Sequence, residues 1–198
     1  MHAVRSGSLA IALTLLLPSA AALAQDASPP PSAQPALSPA AQEFADAFPD
    51  EIGGVSLAGR VEITEASEPD GLDPAAQPLM TDLTADLGIG LDDILVASAM
   101  TFDDLFAEEA TGVWIMAMMA PGMAPETGVD LMLELWTMDL EEEALVISET
   151  SIAGREVTRI ASAEDPDAAF NLYGSDSIVW MVASEDPALL EETLSKLP

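Results

Sequence analysis

Thirty-five carboxylates share this 198-residue chain with only five lysines and arginines, and that imbalance decides where side chains can go. A buried, unpaired carboxylate costs more than a marginally stable fold can supply, so nearly every acid must face water. Yet 49% of the residues are hydrophobic, enough for a substantial core, and cysteine is absent, so no disulfide can stand in for one. Apolar packing inside a densely acidic shell is the only arrangement open to the chain.

Residues 1–24 read as an export signal. Arg5 precedes an apolar stretch over residues 9–17, and the small-x-small run Ala22-Leu23-Ala24 fits cleavage before Gln25. Pro18 ends the apolar stretch well short of the about 20 residues a membrane span needs, so no transmembrane anchor is expected after cleavage. No cysteine is available for a lipid anchor. The product is expected outside the cytoplasm, periplasmic or secreted. His2 and Arg5 leave with the signal, so the mature chain has four cations against 35 acids, a net charge of −31, and no histidine. Nucleic acid is excluded as a partner because phosphate binding needs lysine and arginine, and anionic membranes are disfavoured for the same reason.

Residues 25–41 are rich in Pro, Ala and Ser, as in Ser28-Pro29-Pro30-Pro31 and Ser38-Pro39, and read as a flexible tail. Residues 42–198 are about the length of one domain. Strands are expected over 55–63, 94–102, 111–120, 145–151, 156–161, 170–173 and 177–183, the last two joined by a turn at Gly174-Ser175-Asp176. Helices are expected over 78–87, stopped by Gly88, over 126–140, and after the Asp186 cap with Pro187 at the first position. Strands punctuated by helices, without regular βαβ alternation, predict an α+β fold: an antiparallel sheet with helices packed on one face. Ser56-Leu57-Ala58-Gly59-Arg60 recurs as Ser151-Ile152-Ala153-Gly154-Arg155, and Val113-Trp114-Ile115-Met116-Ala117 resembles Val179-Trp180-Met181-Val182-Ala183. These matches suggest two related β-rich units, each closed by a helix.

The mature chain lacks the residues for Ser-His-Asp or Cys-His catalysis and for a histidine-rich metal site. No Gly-x-Ser-x-Gly, Ser-x-x-Lys, phosphate-binding glycine loop or Gly-x-Gly-x-x-Gly occurs. Two carboxylates alone can hydrolyse a glycoside, which keeps a carboxylate-dependent hydrolase as one alternative. Calcium at acidic loops is another, the clusters being Asp92-Asp93, Asp103-Asp104 with Glu108-Glu109, and Glu141-Glu142-Glu143, none with EF-hand spacing. The thioethers of Met116, Met118, Met119 and Met123 could hold Cu(I) beside Trp114, although strand alternation sends Met119 to the opposite face and methionine is a common core filler. Arg60 and Arg155 follow the repeated glycine and are the candidates for an anionic ligand, although with so many carboxylates nearby the plainer expectation is that each pairs with neighbouring acids at a hairpin corner. No cofactor is expected. The sequence predicts a non-enzymatic binding or interaction domain of the cell envelope or extracellular space, its partner an unknown protein or small ligand.

Overall fold

The computed structural model describes residues 37–66, 76–101, 112–138, 145–166 and 169–198. Among the described residues four α-helices are interspersed with nine strands: α1 (Pro39–Asp46), β1 (Glu51–Ile52), β2 (Val55–Ser56), β3 (Glu62–Glu65), α2 (Gln77–Leu87), β4 (Leu95–Met100), β5 (Trp114–Met119), α3 (Pro125–Thr137), β6 (Leu145–Ile152), β7 (Arg155–Ser162), β8 (Ala169–Ser175), β9 (Ile178–Ala183) and α4 (Pro187–Lys196). β1 and β2 form a small hairpin, while the other seven strands form one antiparallel sheet in the order β3-β4-β5-β9-β8-β7-β6. The fold is α+β.

The helices do not share one face, as the sequence reading expected. Strand alternation puts Ile115, Ala117, Trp180 and Val182 on one side of the sheet, and there they meet Phe44 of α1, Phe48, and Leu190 and Leu194 of α4. Met116, Met118, Val179 and Met181 point the other way and meet Met80 and Leu83 of α2 and Leu131 and Met132 of α3. A half-solvated antiparallel strand would alternate apolar with polar residues. β5 and β9 are apolar at every position, so each face needs its own cover.

Other boundaries move for local reasons. The strand expected over 55–63 is cut by a turn in which the Arg60 N–H bonds the Leu57 carbonyl at 2.9 Å, with Gly59 at φ 74°. The hairpin turn between β8 and β9 falls at Asp176-Ser177, because Gly174 and Ser175 continue the ladder to Val179 and Ile178. The tail boundary also shifts. Ser38 caps α1, accepting the Ala41 N–H at 3.1 Å with Pro39 in the first turn, so residues 38–41 are capped helix rather than extended tail. Residues 25–36 lie outside the described residues.

The repeated segments occupy comparable places along the chain, and β5 and β9 are direct neighbours at the sheet centre. Their tryptophans, however, enter opposite cores, and α3 and α4 lie on opposite faces. The two Ala-Gly turns differ as well: at Ala153-Gly154 both φ angles are positive, 54° and 78°, as a two-residue hairpin of type I′ requires. Positive φ places the Ala153 Cβ close to backbone.

Two substitutions should therefore shift stability in opposite directions. Ala153→Asn relieves the left-handed alanine and should raise stability by about 0.5–1 kcal/mol. Gly174→Ala would place a methyl 2.6 Å from the Pro125 carbonyl oxygen, forcing α3 off β8, and should cost about 1–3 kcal/mol. Thermal unfolding checks both, at about 2–4 °C per kcal/mol for a chain of this size.

Candidate functional site

Four of the chain's five lysines and arginines, Arg60, Arg155, Arg159 and Lys196, lie among the described residues, and the last three make hydrogen bonds that tie the fold together. Arg155 opens β7 directly after the Ala153-Gly154 turn, which carries its side chain toward the far end of α4. Its guanidinium donates to the Tyr173 hydroxyl, to the Leu197 carbonyl oxygen and, at 2.6 Å, to a Pro198 oxygen. It also stacks 4.6 Å from the centre of the Tyr173 ring, while the Tyr173 hydroxyl donates to the same Pro198 oxygen at 3.1 Å. Arg155 therefore fastens residues 197–198 to the sheet. Its partners are a phenol and main-chain oxygens rather than neighbouring acids.

Arg159 donates to the Pro166 carbonyl at 2.5 Å, holding the connection that follows β7. Lys196 bonds the Glu51 carbonyl at 2.8 Å and Glu192 at 2.7 Å, and the same Glu192 oxygen accepts the Gly53 N–H at 3.1 Å. This pair staples α4 to the β1–β2 hairpin. The Lys196 hydrogen bond, with the Gly53 N–H second, holds the Glu192 carboxyl below the ordinary range. Arg60 sits half-buried in its turn. Arg60 and Arg155 are not brought to a common cleft by any element pairing.

Of the described carboxylates only Glu192 is other than fully exposed. Asp92 and Asp93 occupy a single 3₁₀ turn, where Asp93 accepts the Gly90 N–H at 2.8 Å as a local cap. Asp103, Asp104, Glu108, Glu109 and Glu141-Glu142-Glu143 lie outside the described residues. Among the described residues no three Asp, Glu, His or Cys side chains are grouped to hold a metal ion.

Met116, Met118 and Met123 do come together, in the core under α2 and α3 with Met80, Met132 and Met181, while Met119 turns to the opposite face as alternation requires. The methyl of Met123 packs against Gly128, where an added Cβ would lie 2.9 Å away. The thioethers fill irregular space between helix and sheet. At one end of this core Trp114, Trp136 and Phe170 form a half-buried aromatic cluster, with ring centres 5.8, 6.1 and 5.2 Å apart. Sequence reasoning placed Trp136 on a helix face and Phe170 in a strand but had no signal that the two meet.

An open depression of about 600 Å³ separates the Ala153-Gly154 turn from α4, lined by Ala188, Glu191, Glu192 and Ser195. No cation lines it. No family model, curated protein or solved structure matches the chain.

Removing the Arg155 clamp should be costly in a way charge alone does not repair. Arg155→Ala should lower stability in urea unfolding by about 1.5–3 kcal/mol, the range for hydrogen bonds to charged groups. Arg155→Lys should recover only part of this, because an ammonium lacks the planar fork that addresses two carbonyls and a phenol together. The Glu192 staple has a defined pH dependence. Its native pKa lies below the unfolded value near 4.5, so its contribution is complete above that pH and fades as acid passes the lower native value. Glu192→Gln should flatten this part of the acid limb in unfolding curves measured between neutral and strongly acid pH.

Proposed function

We propose that this chain is an exported, acidic interaction domain that acts outside the cytoplasm without catalysis of its own. The observation that carries the reading is the disposition of charge. The described acids stand in water, and the one held partly back, Glu192, is engaged in stapling α4. A carboxylate hydrolase needs two acids converging across a substrate, at least one of them in surroundings that raise its pKa. The described residues bring no such pair together. Arg155, Arg159 and Lys196 are occupied with main-chain oxygens, which argues against a cationic pocket for a small anion.

The export signal in residues 1–24 supports an extracytoplasmic location, and the acidic shell suits a protein that must stay hydrated there. Cation binding, at the acidic clusters or at the methionines, is the competing class. A shell that only repels itself should gain stability from screening, whatever salt supplies it. Thermal unfolding in calcium chloride and in sodium chloride, compared at equal ionic strength, should therefore give the same rise in melting temperature. A saturable additional rise at low calcium would instead mean a specific site linked to the native state and would replace the interaction-domain reading.

A further inference from the structure

The two ends of the main sheet are unlike. At one end β3 is four residues long and carries Glu62 and Glu65, both exposed, the charged and short edge that discourages further pairing. At the other end β6 runs for eight residues, Leu-Val-Ile-Ser-Glu-Thr-Ser-Ile, with a single charge. Among the described residues it pairs only with β7. Val146 and Ile147 are 49% and 50% exposed and point to opposite faces of this edge. In a chain this acidic, the hairpin over 145–162 has two acids, Glu149 and Glu156, against two cations, Arg155 and Arg159. It is locally neutral where its backbone is open.

The geometry points to a second copy of this chain as the occupant of that edge, with β6 pairing antiparallel to its own symmetry mate to extend the sheet across a twofold axis. This deepens the interaction-domain reading by naming its partner. Neutrality is what permits it: the hairpin over 145–162 balances two acids with two arginines, although Glu141, Glu142 and Glu143 precede it in the sequence. A head-to-tail contact of β6 on β3 would set Glu62 and Glu65 along the joint and would leave open ends, whereas β6 on β6 closes at two copies.

The register follows from the hairpin. Ile152 and Arg155 close a two-residue turn and so form a hydrogen-bonded pair, and such pairs alternate along the ladder. Leu145, Ile147, Glu149 and Ser151 therefore direct their N–H and C=O groups outward. Pairing these groups across a twofold axis at Glu149 would set the two Glu149 side chains directly opposite, which is unfavourable. Moving the axis to Ser148 sets Ile147 opposite Glu149 and Leu145 opposite Ser151, aligns 145–151 throughout and forms about eight main-chain hydrogen bonds. Ser148 then faces Ser148 of the second copy in a wide pair, with Cα atoms about 4.5 Å apart, within disulfide range.

The chain has no cysteine, so a single introduced thiol reports this contact without background. Ser148→Cys should oxidise to a disulfide-linked dimer on non-reducing gels. Val146→Cys and Thr150→Cys should each remain single when alone and cross-link when mixed, since the register sets 146 opposite 150. Asp176→Cys, at an exposed turn, is the control for random collision. By light scattering the unaltered protein should be a dimer whose population grows with sodium chloride. The double variant Val146→Lys, Ile147→Lys should be monomeric with an unchanged circular dichroism spectrum. The inference is overturned if the unaltered protein stays monomeric at every salt concentration, if Ser148→Cys cross-links no faster than Asp176→Cys, or if the lysine variant remains dimeric. A monomer whose β6 edge takes a strand from a different protein falls under the first of these. None of these outcomes bears on the calcium comparison, so the failure of one reading is distinguishable from the failure of the other.

Discussion

The pairing of β5 with β9 is the contact on which the other elements depend. It joins strands from distant parts of the chain at the centre of the sheet, from Trp114 opposite Ala183 to Met119 opposite Ile178. Both strands are apolar on both faces, so forming this pair creates two surfaces that must be removed from water at once. α1 and α4 answer one, α2 and α3 the other. The three-layer arrangement follows from two short apolar strands.

The acidic shell follows from the same division. With the interior claimed by hydrocarbon on both sides of the sheet, carboxylates have only the outer helix faces, the turns and the strand ends to occupy. Cations are too few to neutralise them in pairs, and exposed pairs contribute little in any case. The structure instead uses Arg155, Arg159 and Lys196 where main-chain oxygens need donors: the chain end at Leu197 and Pro198, the connection at Pro166, and the hairpin carbonyl of Glu51. In a chain with a net charge of −30 to disperse, these cations serve as clasps on backbone, and Lys196 holds Glu192 as well.

How far the sequence could be read follows from the range of each interaction. Some helix ends set by a cap, a first-turn proline or a stopping glycine were legible, because those signals act within four residues, but the same signals at Ser38-Pro39 were hidden in a Pro- and Ser-rich run. α4 starts at Pro187 after the Asp186 cap, and α2 ends at Gly88. The exposure of the described acids was legible too, since solvation does not depend on topology. The sides taken by the helices were not read, although the evidence was present in the unbroken apolar runs of β5 and β9. An alternating strand would have matched helices on one face; these did not alternate. The similarity between 113–117 and 179–183 also misled in part, because a shift of one position along a strand reverses its faces, and Trp114 and Trp180 consequently enter different cores. The aromatic meeting of Trp114, Trp136 and Phe170 depends on α3 crossing β8, a long-range fact with no local signature.

The sheet edges carry the remaining argument. A net charge far from zero keeps molecules apart, and here it does so over nearly the whole surface. Such a surface does not need a further device at each edge, yet β3 has one in its short length and its glutamates. β6 is twice as long and carries one glutamate, Glu149, and its hairpin neighbour β7 contributes two arginines beside it. Among the described edge strands β6 is the longest, and general repulsion would act there as a filter on orientation. Approaches that bring other surfaces together are opposed by carboxylates, while approach along β6 meets apolar side chains and unpaired peptide groups. The same imbalance of charge that forces the acids outward thus bears on the β6 pairing proposed above, since among the described edges β6 carries the lower density of carboxylates.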